Sequence, residues 1–133
     1  MIKPFLYVGP SKDRGRGVFT AENIRARIIL EISPVIVLTP KDRKIVDSTL
    51  LHDYIFEWGE NKKQACVALG LVSVYNHSYS ANCEYEMEYD KEIITIRTIR
   101  SIKKGEELYV NYNGVWNKKN ELWFDVKGGG KKK

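Results

Sequence analysis

Short runs in which apolar and polar residues alternate recur along the chain, and they predict strands. PFLYV (4–8) and GVFT (17–20) read as two short strands separated by GPSKDRGRG, a polar, glycine-rich loop. IILEISPVIVL (28–38) is a β-branched run with Pro34 at its middle, so two strand pieces, an edge or a bulge are expected there. CEYEMEY and EIITIRTI flank Asp90-Lys91 and predict a hairpin. ELYVNY (107–112) follows the turn signal KKGE and alternates again, which sets Leu108, Val110 and Tyr112 on one face.

Two stretches fit helical spacing. In DSTLLHDYIFEW (47–58), Leu50, Leu51, Tyr54, Ile55 and Trp58 recur at that spacing behind Asp47 or Ser48 as a cap. YIFEW, GENKK and QACVAL also read as a hairpin, and a short helix followed by that hairpin satisfies both patterns. Residues 115–126 are amphipathic and fit a short helix or an irregular flap. Many short strands with few helices predict an all-β or β-rich α+β domain.

Length and composition narrow the classes. A chain of 133 residues with 43% hydrophobic content suits one globular domain, placed over residues 1–126. Residues 127–133, KGGGKKK, read as a flexible basic tail. Cys66 and Cys83 are too few for a disulfide scaffold or for a zinc site of their own, so no metal is expected. Nothing at the N-terminus has the form of a signal peptide, and no apolar run is long enough to span a membrane. The expected setting is soluble and reducing, cytoplasmic or nuclear. Of 22 basic residues, three are Lys131, Lys132 and Lys133; without them the excess over 17 acidic residues falls from +5 to +2. That near balance argues against a nucleic-acid binder, apart from weak contact through the tail.

The chemistry concentrates in SVYNHSYSANC (73–83), directly after the apolar run VALGLVSVY. Asn76 and Asn82 stand six residues apart, and His77 is one of two histidines in the chain. Taken singly, each motif has a plain structural reading. Gly15-Arg16-Gly17 is a turn, and Thr20 stands where a dinucleotide fingerprint would need its third glycine. The asparagines can bind their own turn. Tyr112 can be a core tyrosine with its hydroxyl at the rim. Glu106 and Glu107, beside a turn, read as solvated or paired with Lys or Arg.

In order, however, the chain carries Gly-x-Gly before Val-Phe, then DYIF, then ALGLVSVYNHSxxxN, then KKGEELYVNY. This succession resembles the SET-domain methyltransferases, in their minimal viral or bacterial form, over residues 5–116. The resemblance implies a fold of short strands in several small sheets with a C-terminal threaded crossing, or pseudoknot. It implies S-adenosylmethionine as methyl donor and a lysine amine of a protein, such as a histone tail, as acceptor. It assigns the backbone of Gly15, Arg16 and Gly17 to the donor, together with Asn76, His77, Tyr54 and Tyr112. Tyr112 is the implied catalytic residue, and Asn82 would pin the crossing. Tyr54, Tyr109 and Trp116 are expected on the substrate side, with Trp123 or Phe124 closing over the channel.

The chain departs from the family pattern in places. Tyr79 replaces a zinc-ligating cysteine, which again implies no zinc, and Ala81 replaces a proline. Arg27 stands where a turn glycine is usual, and Trp116 where Phe or Tyr is. The lack of flanking domains to complete a substrate groove makes a homodimer a reasonable expectation. The rival reading from another class is a binding module. Three tryptophans, eight tyrosines and four phenylalanines could furnish a methyl-lysine cage.

Overall fold

The computed structural model describes residues 1–12 and 15–112. The basic tail, the 115–126 segment, and with it Trp116, Trp123 and Phe124, lie outside the described residues. Among the described residues the strands are β1 (Leu6–Pro10), β2 (Arg16–Thr20), β3 (Ile29–Leu38), β4 (Phe56–Trp58), β5 (Gln64–Ala68), β6 (Asn76–His77), β7 (Cys83–Glu88), β8 (Ile93–Thr98) and β9 (Glu107–Val110). One α-helix, α1 (Pro40–Val46), and 3-10 turns at Leu50–Tyr54 and Val72–Val74 accompany them. No helix among them is long and apolar enough to cross a membrane.

The strands form two sheets, in the orders β1-β2-β9-β6 and β4-β5-β3-β8-β7. Every pairing is antiparallel except that of β6 with β9. The core lies between the inward faces. Val18, Leu30, Ile94, Ile96, Leu108 and Val110 are all buried there. Alternation on β9 sends Leu108 and Val110 inward while Glu107 and Tyr109 stay partly exposed.

Three sequence expectations change. First, Pro34 does not split its strand. β3 pairs with β8 from Ile29 to Pro34 and with β5 from Val35 to Leu38. The proline, which has no N–H to give, stands where one ladder hands over to the other. The register irregularity falls instead between Ile29 and Glu31.

Second, an α-helix lies upstream of the 47–58 window. Thr39 caps α1 by accepting the Asp42 N–H at 3.1 Å, and Pro40 opens it. Within the window the expected short helix forms as a 3-10 helix, Leu50–Tyr54, capped by Thr49 rather than by Asp47 or Ser48, with Leu50 and Leu51 exposed. The expected hairpin follows as β4 and β5. Third, β9 ends at Val110, so Tyr112 lies past the strand rather than on its stripe.

The hairpin around Asp90-Lys91 forms as expected, from β7 and β8. Arg27 adopts φ 65°, the left-handed conformation that the family's glycine would take without cost.

Candidate active site

The apolar run before Asn76 is no single strand. Ala68 ends β5, Gly70 turns the chain at φ +74°, and the Val72–Val74 turn delivers Tyr75 into the core, fully buried. A side chain at Gly70 would collide with Glu31 and Ser33. The chain then has two residues, Asn76 and His77, in which to lie parallel to β9, opposite Tyr109 and Val110.

Asn76 is 1% exposed, and its amide joins β6 to the opening of β2. Nδ2 donates to the Arg16 carbonyl at 2.9 Å and to Glu107 Oε2 at 2.8 Å. Both hydrogens are thereby used on acceptors, which fixes the orientation of the amide. Its Oδ1 is buried and has no hydrogen-bond partner among the described residues.

Gly17 lies alongside, where any side chain would collide with the Glu107 carboxylate. Glycine is thus required here by close packing, not by an unusual φ. Gly15 does take positive φ, 67°, and its carbonyl accepts the Ser11 N–H at 2.6 Å to close the loop between β1 and β2.

His77, also 1% exposed, accepts the Tyr112 backbone N–H at Nδ1, 3.0 Å away. That contact places the imidazole proton on Nε2. The rings of His77 and Tyr112 lie 5.3 Å apart. The Tyr112 hydroxyl donates to the Tyr75 carbonyl at 2.5 Å. The Phe56 ring meets the Tyr112 ring edge-on at 6.1 Å, and the Tyr85 hydroxyl donates to the Tyr112 carbonyl at 3.0 Å. Burial pushes the Tyr85 phenol well up, so it stays a neutral donor. Tyr112 is therefore held at its backbone N–H, carbonyl, ring and hydroxyl.

Asn82 grips β9 from the other side of the NHSxxxN turn. Its Nδ2 donates to the Glu107 carbonyl at 3.0 Å, and its Oδ1 accepts the Tyr109 N–H at 2.8 Å. β9 thus runs between β2, which pairs with it along one edge, and β6 with Asn82 along the other. Ala81, in the position of the family's proline, is buried completely.

The structure therefore brings Arg16, Gly17, Asn76, His77 and Tyr112 to one place. Tyr109 stands at its edge on the Glu107 face of β9, its hydroxyl donating to Glu107 Oε1 at 3.0 Å. Tyr54 ends the Leu50–Tyr54 turn, and its carbonyl accepts the Ser73 hydroxyl at 2.9 Å just ahead of Tyr75. Trp116 lies outside the described residues.

Sequence reasoning missed three participants: Phe56, Tyr85 and Glu107. Phe56 lay in a quoted motif, DYIF, but nothing local shows that its ring meets Tyr112. Tyr85 looked like an ordinary strand residue. Glu107 was read with Glu106 as solvated or paired with Lys or Arg; Glu106 is indeed exposed, its Oε1 accepting the Lys103 N–H at 2.5 Å, but Glu107 is not so placed.

Comparison with known proteins fits this geometry. A family model described as the SET domain matches residues 15–113. A Schizosaccharomyces pombe protein named histone-lysine N-methyltransferase, H3 lysine-37 specific, is 32% identical over 126 residues, covering 94% of this chain and 80% of its own length. A crystal structure of a candidate histone methyltransferase from Plasmodium falciparum superposes with a TM-score of 0.68 at 28% identity, covering 88% of this chain and all of that one. Chaetomium thermophilum Polycomb Repressive Complex 2 shares the fold at a TM-score of 0.69 and 23% identity, over 80% of this chain and 15% of that chain.

Proposed function

Because the chain belongs to the SET-domain family and is a protein-lysine methyltransferase, we propose that S-adenosylmethionine is its donor, a histone lysine its acceptor and Tyr112 its catalytic residue. The observation that carries this reading is the convergence of Asn76, His77 and Tyr112 across the parallel β6–β9 contact. The Schizosaccharomyces pombe relative, named for lysine 37 of histone H3, supports the histone acceptor and a nuclear setting.

The donor, when bound, supplies a methyl group activated by a sulfonium. The residues present fit it. Asn76 Oδ1 is a buried acceptor awaiting a donor, and a ligand carrying positively charged hydrogen-bond donors is what such an atom favours. The backbone of Gly15, Arg16 and Gly17, with Asn76 and His77, would hold that ligand.

The rest of the task is to present a neutral amine in line. A free lysine has a pKa of about 10.4, so near pH 7.4 only about one in a thousand is neutral, a handicap of roughly 4 kcal/mol. Apolar walls lower that pKa by desolvating the ammonium, and Phe56 and the Tyr112 ring supply such walls here, with Tyr54 close by. No separate general base is then required.

The Tyr112 hydroxyl has its proton committed to the Tyr75 carbonyl, so its oxygen acts as an acceptor. It can take an N–H of the substrate amine and so turn the nitrogen lone pair toward the methyl group. Fixing two reactants in this way supplies much of the acceleration available to such an enzyme.

Thermal melting with S-adenosylmethionine and with S-adenosylhomocysteine tests the reading. Both should raise Tm, by an amount that grows with ligand concentration. A methyl-lysine reader would respond to neither, and that result would replace the enzyme by the rival binding module.

A further inference from the structure

The carboxylate of Glu107 has a task that its place beside a surface turn conceals. Oε2 accepts from Asn76 Nδ2 at 2.8 Å. Oε1 accepts the Ser11 hydroxyl at 2.8 Å and the Tyr109 hydroxyl at 3.0 Å. None of these partners is a cation, and none of the ion pairs among the described residues includes Glu107. Among the described residues its negative charge is held by neutral donors only. It rests against Gly17, where a side chain would collide with it, and the other end of the Asn76 amide it holds is the buried Oδ1.

An asparagine amide can ordinarily flip by half a turn and exchange its oxygen with its nitrogen. Here the Arg16 carbonyl and the Glu107 carboxylate both demand hydrogens, so Nδ2 faces them and Oδ1 must face away. We infer that Glu107 is a positioning residue for donor binding: it locks the Asn76 amide so that Oδ1 is offered to the donor's α-ammonium group, and its negative charge strengthens that contact. This rests on the donor reading above. The ammonium is the chemical match because it is the cationic part of the donor that carries N–H groups, whereas the sulfonium carries none. A charge-assisted hydrogen bond, with a counter-charge one residue behind the acceptor, is worth more than a neutral one.

A pair of ligands separates this role from a merely structural one. S-adenosylhomocysteine carries the α-amino group; its deaminated analogue lacks only that group. Calorimetric Kd values are measured for both against the parent and against Glu107→Gln, which keeps the side-chain volume and one acceptor oxygen. The parent should prefer S-adenosylhomocysteine about tenfold or more, and the Gln variant should lose most of that preference while holding the analogue as before. KM for the donor should rise with kcat within about twofold.

Equal weakening of both ligands, or no change in either, overturns the inference and leaves the donor reading intact. A parent that binds neither ligand overturns both. If the Gln variant loses its cooperative melt, Ser11→Ala serves in its place. It removes one hydroxyl from Oε1 and should cost S-adenosylhomocysteine alone about threefold. An equal loss of both ligands there, or no loss of either, overturns the inference as well.

Discussion

Replacing Asn82 by alanine should loosen the crossing on which the whole site is built. The amide is 3% exposed and makes two hydrogen bonds to β9, at 3.0 Å to the Glu107 carbonyl and at 2.8 Å from the Tyr109 N–H. Truncation removes both partners at once and leaves a backbone acceptor and a backbone donor facing a small void. Each stranded group costs about 1–3 kcal/mol. Some relaxation and water entry will offset part of this, so we expect a loss of about 3 kcal/mol. For a domain of this size that corresponds to a Tm lower by about 10 °C.

The assay is paired urea and thermal denaturation of parent and variant, followed by circular dichroism, with m-values compared to confirm that both unfold to the same extent. Asn82→Asp adds a second arm. One oxygen can still take the Tyr109 N–H, but the other meets the Glu107 carbonyl with no hydrogen to give. The Asp variant should regain stability on acidification, as its carboxyl takes up the proton that can serve that carbonyl. A loss below about 0.5 kcal/mol for the alanine variant would show that β9 is held by its strand pairing alone, and would refute the clamp.

Two further changes probe neighbouring points of the same architecture. Gly17→Ala drives a methyl group into the Glu107 carboxylate and toward Asn76, so it should destabilise by about 1–3 kcal/mol and weaken S-adenosylhomocysteine in titration; unchanged affinity would show that this close packing does not serve the ligand. Glu31 is fully buried and accepts from the Ser33 hydroxyl at 2.6 Å and from the Leu71 N–H at 2.8 Å, while burial raises its pKa above the ordinary 4.5. The folded state therefore favours the protonated acid. Its contribution to stability is complete below 4.5 and is lost as pH climbs from there through the raised native value. Urea midpoints of the parent should thus fall relative to those of Glu31→Gln across that interval, and parallel profiles would show that Glu31 does not titrate differently in the fold.

Much of this arrangement could be read from the chain. Alternation gave β1, β2, β7, β8 and most of β9: β1 with β2 and β7 with β8 are hairpin mates, and β2, β8 and β9 each turn buried residues to the core. Asn76, His77 and Tyr112 were singled out only through the family resemblance that the order and spacing of their motifs carry, since each motif taken singly has a plain structural reading. Helix α1 was missed for a physical reason. It buries no residue, so it has no hydrophobic period, and its signal is the local cap Thr39-Pro40 with Asp42. Leu50 and Leu51 carry helical spacing, yet both stay exposed on the 3-10 helix that forms there.

Glu107 was illegible because its partners Ser11 and Asn76 are 96 and 31 residues away. Only the folded chain shows a turn carboxylate meeting three neutral donors. The same holds for the Tyr75 carbonyl that receives the Tyr112 hydroxyl, 37 residues apart. The charge balance also proved the less informative guide, since the side chains that matter here are neutral amides, rings and hydroxyls around one carboxylate.

The most direct measurement of the central claim is methyl transfer by the parent and by Tyr112→Phe, with isotopically labelled S-adenosylmethionine and recombinant histone H3, read by mass mapping of the product peptides. The Phe variant keeps the ring against Phe56 and His77 and loses only the hydroxyl on the Tyr75 carbonyl. The account predicts label on a lysine with the parent, a rate about a hundredfold lower with the variant, and undiminished binding of S-adenosylhomocysteine by both. Transfer by the Phe variant at the parent rate, or a parent that binds the donor and labels no lysine in H3, would contradict it.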